Sequence, residues 1–111
     1  MLSNKWPQAI SSFVLASNSH QTDAMLAAFA DDAVLIDDNR VFEGKAAIRK
    51  WSDGEFIGSR VSLTILDSIL EGEEPSLGVE INGDYPNCPY FFNFSFRLEN
   101  NLIKQLNISE T

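Results

Sequence analysis

The sequence predicts an α+β fold, in which helices come first and a long antiparallel meander follows. Helical spacing of apolar residues is confined to the first half of the chain, whereas apolar and polar residues alternate in the second half. The helices need an apolar surface to cover, and one face of the sheet offers it. A curved antiparallel sheet wrapped around helices would leave a cavity between the two layers.

Composition limits the classes of protein that this chain can belong to. Its 111 residues suit one compact domain, residues 1–111, with an ordinary globular balance of 44% hydrophobic and 22% charged residues. The net charge of −8 argues against nucleic acid and against anionic membrane surfaces as partners. One cysteine excludes an intramolecular disulfide. No apolar run approaches the roughly 20 residues of a membrane span, and MLSNKWPQAISSF lacks signal-peptide character, so we expect a cytoplasmic protein.

Three helices are expected in the first half. Pro7 suits the first turn of the first helix, which should end in the polar run SNSHQT. Thr22 is a candidate N-cap for a short second helix that carries Met25, Leu26 and Phe29. The third helix follows Gly44 and should end near residues 54–58. Its apolar face contains Ala47, Ile48 and Trp51.

The strands are predicted from period-two patterns. Residues 33–36 form a short buried strand, residues 37–40 a turn, and residues 41–42 a second short strand. Four longer strands follow in residues 61–69, 77–81, 90–98 and 102–108. In YFFNFSFRL, Phe92, Phe94, Phe96 and Leu98 share one face, and Asn93, Ser95 and Arg97 share the other.

The run LAAFADDAVLIDDNRVFEGKAAIRKW resembles the signature of SnoaL-like domains, which belong to the nuclear transport factor 2-like superfamily together with ketosteroid isomerase. The C-terminal FSFRLENNLIKQLNI is similar to the family's closing hairpin. The resemblance implies a cone-shaped sheet around a pocket, closed by three helices. It also implies a homodimer formed through the outer sheet face, where Asn93, Ser95 and Arg97 would lie. It says little about function, because this fold hosts isomerases, cyclases, hydrolases, dehydratases and binders.

Asp37 is the candidate catalytic residue. The resemblance places it at the general-base position of ketosteroid isomerases, and its strand parity with Leu35 points it towards the pocket. An apolar cleft disfavours the charged carboxylate, which suits proton transfer. The other interpretation is that DDNR is only a turn in which Asp37 caps backbone N–H groups.

The isomerase oxyanion hole does not carry over. The resemblance puts Phe13 where a Tyr donor is expected and Phe94 where a protonated Asp is expected. Neither ring can donate a hydrogen bond, so an enolate would lack stabilisation and ketosteroid isomerase activity is not expected. Phenylalanine at both positions makes the cavity more apolar.

The remaining candidates are ligand contacts rather than catalysts. Apolar lining or core positions include Trp6 and the five proposed ligand contacts Phe13, Phe29, Trp51, Phe56 and Phe94. Arg40 is a candidate for an anionic ligand group, ahead of Arg97, with a solvated surface charge as the alternative. His20 is expected to be a solvated loop residue and Cys88 a structural one.

No metal site and no cofactor are expected. One histidine and one cysteine exclude a His-cluster or thiolate site, and the spacing of Asp31, Asp32, Asp37 and Asp38 lacks a calcium-loop pattern. No phosphate-binding glycine loop or nucleophile elbow is present in the sequence.

Three functions stay open at this point. The first is an enzyme, in which Asp37 performs acid/base chemistry of an isomerase, cyclase or dehydratase type on an apolar carbonyl compound. The second is a non-catalytic binder of an apolar small molecule. The third is a dimerisation domain with a filled cavity.

Overall fold

The computed structural model describes residues 6–111. Residues 1–5, which begin the stretch assessed for a signal peptide, lie outside this range. The helices of the described residues are all too short or too polar to cross a membrane. In chain order the elements are α1 (Gln8–Asn18), α2 (Thr22–Ala27), β1 (Phe29–Asp37), β2 (Arg40–Glu43), α3 (Gly44–Glu55), a 3₁₀ turn (Ile57–Ser59), β3 (Ser62–Ile69), β4 (Ser76–Asn82), β5 (Tyr90–Glu99) and β6 (Leu102–Glu110).

The α+β fold is confirmed, with three helices in the first half of the chain and the long strands in the second. The six strands form one sheet in the order β2-β1-β6-β5-β4-β3. Four of the five strand pairs are antiparallel, as predicted. The pair of β1 with β6 is parallel, so the sheet is mixed rather than wholly antiparallel.

Strand β1 begins earlier than predicted. It starts at Phe29, where the sequence pattern indicates the end of a helix. The register against β6 shifts between Phe29 and Val34, so the first residues of β1 form an irregular edge rather than a regular ladder. Asp31 and Asp32 are exposed there and pair with Lys45 and Lys104. These exposed ion pairs offset part of the negative charge of the stretch.

The core lies between the helices and the concave face of the sheet, and Phe13 is at its centre. Its ring is completely buried and contacts the rings of four other phenylalanines at centroid distances of 5.8–6.2 Å. These come from β1 (Phe29), from the end of α3 (Phe56) and from β5 (Phe94 and Phe96). One side chain of α1 therefore joins both layers of the fold.

The C-terminal end of α1 is fixed to strand β3 by polar contacts. The Asn18 side chain donates to the Leu63 carbonyl over 3.1 Å and accepts from the Leu63 N–H over 2.7 Å. His20 Nε2 lies 2.7 Å from the Val61 carbonyl oxygen, and a carbonyl only accepts, so Nε2 carries the proton. His20 thus has a structural contact where the sequence predicts a solvated loop residue.

Candidate functional site

A cavity of about 370 Å³ opens beside the β1–β2 hairpin, under the C-terminal end of α3. This volume lies at the lower end of the range of small-molecule pockets. Its lining combines aromatic rings with a group of charged side chains. The lining residues are Asp37, Asp38, Arg40, Trp51, Glu55, Phe56, Ile81, Tyr85, Tyr90, Phe92, Phe94, Ile108 and Glu110.

The hairpin turn sets the position of Asp37. Asp38 and Asn39 form a two-residue turn with φ values of 53° and 66°, which is typical of a type I′ turn between paired strands. Asp37 and Arg40 therefore face each other as the last cross-strand pair. Paired residues project to the same face of a sheet, so the turn brings a carboxylate and a guanidinium together at the cavity wall.

Both donors that reach the Asp37 carboxylate bind the same oxygen. Trp51 Nε1 donates to Oδ2 over 3.0 Å, and Arg40 Nη2 donates to Oδ2 over 2.9 Å. The Asp37 side chain is 16% exposed. Both contacts hold the carboxylate in one orientation. No backbone N–H of residues 6–111 binds this carboxylate, so the backbone-capping interpretation does not describe its contacts.

The second oxygen of Asp37 remains available. Oδ1 has no hydrogen-bond partner within residues 6–111, and it is not sealed from solvent. Oδ1 is therefore accessible to solvent, and Asp37 is one of the residues that line the cavity. The carboxylate is held through one oxygen, and the other has no hydrogen-bond partner among residues 6–111.

Arg40 is held in turn by Glu55, the last residue of α3. Nη1 donates to Oε2 over 2.9 Å and Nη2 to Oε1 over 2.6 Å, which is the bidentate geometry of an arginine–carboxylate pair. Hydrogen bonding of Arg40 to the Glu55 carboxylate, which accepts, is the main reason that the pKa of Arg40 rises above its ordinary value. A chain of contacts thus runs from Glu55 through Arg40 to Asp37.

Aromatic rings build the apolar wall. The indole of Trp51 stacks on Phe56 with ring centroids 4.6 Å apart. Phe92 and Phe94 of β5 add their rings to this wall, and the ring centroids of Tyr90 and Phe92 are 6.3 Å apart. These rings come from both layers of the fold, so the cavity depends on the packing of α3 against the sheet.

The two tyrosine hydroxyls of the cavity both donate to backbone carbonyls. Tyr85 donates to the Glu55 carbonyl over 2.8 Å, and Tyr90 donates to the Pro86 carbonyl. Burial, reinforced by the negative charges of Glu55 and Asp37, raises the pKa of Tyr85 to about 12. Tyr85 is therefore a protonated hydroxyl at neutral pH, and its hydrogen is donated to the Glu55 carbonyl.

Five of the seven sequence-predicted site residues meet in this cavity: Asp37, Arg40, Trp51, Phe56 and Phe94. Phe13 and Phe29 do not line it. Both are completely buried, in edge-to-face contact with each other, and their rings lie behind the cavity wall. For these two residues the predicted ligand contact gives way to a packing role in the core.

The other polar candidates lie elsewhere. Arg97 pairs with Glu74 on the exposed surface, and Cys88 donates to the Gly83 carbonyl over 3.6 Å. Asp31 and Asp32 pair with lysines and do not approach Asp37. Within residues 6–111 no three His, Cys, Asp or Glu side chains converge as metal ligands would.

Several lining residues were not identified from the sequence. Glu55 lies four residues after Trp51, so the two share one face of α3, and this spacing could have indicated it. Tyr85 belongs to the turn-rich run NGDYPNCP, where an aromatic residue in a polar turn was the available signal. Ile81, Ile108 and Glu110 lie on paired strands and carry no local signal for a site.

Comparison with known proteins identifies relatives of this fold. A family model of the SnoaL-like domain matches residues 10–105. A structure described as a candidate polyketide cyclase from Sinorhizobium meliloti is 25% identical, with a TM-score of 0.89 over 98% of this chain and 100% of that one. No curated protein matches the sequence.

Two further structures share the fold at lower identity. The Δ5-3-ketosteroid isomerase from a Mycobacterium species is 20% identical, with a TM-score of 0.80 over 94% of this chain and 91% of that one. A Mycobacterium tuberculosis protein solved in complex with estradiol-17β-hemisuccinate is 18% identical, with a TM-score of 0.78 over 91% and 89%. At these identities the likeness extends to the fold alone.

Proposed function

This chain belongs to the SnoaL-like domain family, as the sequence resemblance predicted, and we propose that it binds an apolar, carbonyl-bearing small molecule on which Asp37 acts as a general base. The cavity beside the β1–β2 hairpin would hold the molecule. The reaction class is removal of a proton from carbon next to the carbonyl, as in isomerase, cyclase or dehydratase chemistry.

The asymmetry of the Asp37 carboxylate carries this proposal. Trp51 and Arg40 both bind Oδ2, whereas Oδ1 is accessible to solvent without a hydrogen-bond partner among residues 6–111, and Asp37 lines the cavity. A general base needs a fixed oxygen within reach of the proton that it removes. The contacts with Trp51 and Arg40 support a fixed orientation of Asp37, and its place in the lining supports its reach.

Glu55, Arg40 and Trp51 act in this proposal as positioning residues. Arg40 makes four hydrogen bonds, two to Glu55 and two to Asp37, counting its contact with the Asp37 carbonyl. The carboxylate cannot rotate without losing the donors to Oδ2. Fixing the base in one orientation lowers the entropic part of the barrier to proton transfer.

The relatives support the ligand class. One is a ketosteroid isomerase by name, one is described as a candidate polyketide cyclase, and one was solved with an estradiol derivative. Ring systems with large apolar surfaces match a cavity walled by Trp51, Phe56, Phe92 and Phe94. We therefore choose bicyclic compounds as probes, because they are small enough for about 370 Å³.

Non-catalytic binding is the second candidate, and the shortage of hydrogen-bond donors favours it. The side-chain donors of the lining are Trp51, Arg40, Tyr85 and Tyr90, and each already donates to a protein oxygen. Phe94 lines the cavity without a donor. Proton abstraction would need one of these donors to turn towards the enolate oxygen.

Exchange of carbon-bound protons separates the two candidates without knowledge of the natural substrate. The probe is 2-tetralone, a bicyclic ketone, dissolved in D₂O with the protein, and NMR follows deuterium entering beside its carbonyl. We expect exchange above the buffer rate with the wild-type protein. Asp37→Asn should lose this excess while retaining the affinity for 2-tetralone, because asparagine keeps the size and an acceptor oxygen.

Each outcome has one meaning. Binding of 2-tetralone without excess exchange would support the non-catalytic binder and contradict the general base. Unchanged exchange in Asp37→Asn would remove Asp37 from the reaction. Absence of binding for both the ketone and its alcohol, 2-tetralol, would contradict a ligand-binding cavity of this size.

We also propose that the chain forms a homodimer through the outer face of the sheet. In the monomer the helices cover only the concave face, and Asn93, Ser95 and Arg97 lie on the open one, beside the exposed ring of Phe91. Sedimentation equilibrium should give twice the mass of the chain, and Ser95→Arg should lower that mass by placing like charges across a two-fold axis. A monomeric wild-type protein would contradict this proposal.

Cytoplasmic residence stays a prediction from the sequence.

A further inference from the structure

The cavity has far more acceptor oxygens than free donors. Four carboxylates line it, from Asp37, Asp38, Glu55 and Glu110, against the single guanidinium of Arg40. Glu55 and Asp37 share Arg40, which leaves the cavity with a net negative charge. Asp38 and Glu110 have no cationic partner within 4.0 Å among residues 6–111.

The donors of the lining are almost all engaged. Trp51, Tyr85 and Tyr90 each have one side-chain N–H or O–H donor, and each donates to a protein oxygen. Four of the five N–H groups of Arg40 bind Asp37 or Glu55. One guanidinium N–H is therefore the only unengaged side-chain donor among the lining residues that the structure describes.

Asp38 and Glu110 both line the cavity near the C-terminal end of β6. The Asp38 N–H donates to the carbonyl of Ile108, and Glu110 follows two residues later on the same face of β6. Glu110 pairs with Phe92, whose ring contributes to the aromatic wall. The negative charges therefore border the aromatic rings, an arrangement that attracts a cation attached to an apolar body.

From this arrangement we infer that the cavity selects ligands that carry an ammonium group on an apolar ring system and rejects ligands that carry a carboxylate. An ammonium supplies three donors and a positive charge, which are the two properties that the lining lacks. Its ring system would pack among Trp51, Phe56 and Phe94, with the ammonium towards Asp38 and Glu110. The inference rests on the proposed function for the place of the ligand, and it adds the ligand's charge.

A series of four compounds with one skeleton tests it. The compounds are 2-aminotetralin, 2-tetralol, 2-tetralone and tetralin-2-carboxylate, which differ only in charge and hydrogen-bonding group. Calorimetry at pH 7 and low salt should give the lowest dissociation constant for the amine and the highest for the carboxylate. We expect the two dissociation constants to differ by about tenfold or more. The acids attract the ammonium and repel the carboxylate, so both effects widen the difference between the two compounds.

Two variants of the bordering acids locate the source of the preference. The double variant Asp38→Asn with Glu110→Gln should reduce the ratio of amine to carboxylate affinity to about threefold or less. Asparagine tolerates the left-handed conformation at position 38, so the turn is preserved. Glu71→Gln, in the β3–β4 connection and outside the lining, should leave the ratio unchanged. Added salt should also shrink the ratio.

The inference is overturned if the carboxylate binds as tightly as the amine. It is overturned as well if 2-tetralone fails to displace the amine, because the amine would then bind outside the cavity. It is also overturned if the double variant keeps the full ratio. These failures would leave exchange of 2-tetralone by Asp37 intact. Conversely, a missing exchange reaction with the predicted charge preference would refute the general base and keep the ligand class.

Discussion

Replacing Trp51 by phenylalanine should lower the free energy of unfolding, mainly through the loss of one hydrogen bond. The indole N–H donates to Asp37 Oδ2 over 3.0 Å, while the ring stacks on Phe56 at a centroid distance of 4.6 Å. Phenylalanine preserves an aromatic ring for the stack and removes the donor. A hydrogen bond to a charged acceptor contributes about 1.5–3 kcal/mol. Because the carboxylate is 16% exposed and keeps Arg40, we expect a loss of about 1.5 kcal/mol.

Urea unfolding gives this loss as a change in the free energy of unfolding, and thermal unfolding gives it as a fall in Tm of about 6 °C. A double-mutant cycle with Asp37→Ala separates the hydrogen bond from the smaller size of the phenylalanine ring. We expect a coupling energy of about 1 kcal/mol between the two positions. A coupling energy below about 0.5 kcal/mol would refute the claim that Trp51 holds Asp37.

Three further changes test other parts of the structure. Glu55→Gln removes the negative charge that pairs with Arg40. Because both side chains are about half exposed, urea unfolding should show a loss of only up to about 1 kcal/mol in the free energy of unfolding. A loss above about 2 kcal/mol would contradict the small contribution expected of an exposed ion pair. Phe13→Leu should cost about 1–2 kcal/mol in the same assay without changing the affinity for 2-tetralone, and a large fall in affinity would place this ring against the ligand. The folded-state pKa of Tyr85 lies near 12, above the ordinary value of 10, so its contribution to stability is complete below about pH 10 and is lost as the pH rises towards 12. Tyr85→Phe should flatten the plot of unfolding free energy against pH in this range. Parallel plots for the wild-type protein and Tyr85→Phe would contradict the raised pKa of Tyr85.

Local patterns predicted most of the fold because each element has its own signal. The DDNR run predicted the β1–β2 turn, and the structure places Asp38 and Asn39 there with positive φ values. Alternation predicted β3 to β6 within a few residues of their observed ends. The parallel pairing of β1 with β6 joins segments about 70 residues apart in sequence. No local pattern encodes such a pairing, and for this reason the antiparallel prediction was incomplete.

The candidate site was predicted less completely than the fold. Strand parity placed Asp37 at the cavity wall, but its two donors come from the facing strand and from α3, and this geometry follows only from tertiary packing. The expectation of an apolar cleft missed the acids that line it, Glu55 and Glu110 among them. Phe13 shows an ambiguity of another kind. An aromatic residue at helical spacing is more often part of a core than a ligand contact, and Phe13 is completely buried in the core.

The central claim is that Asp37 Oδ1 removes a proton from a molecule bound in the cavity. The most direct measurement is the rate of deuterium incorporation into saturating 2-tetralone by the wild-type protein and by Asp37→Asn. Asp53→Asn is the matched control, because it makes the same chemical change on the exposed surface of α3, outside the cavity lining. We predict that Asp37→Asn lowers the protein-dependent rate by about 100-fold or more and that Asp53→Asn leaves it unchanged. Equal rates in the wild-type protein and Asp37→Asn would contradict the claim.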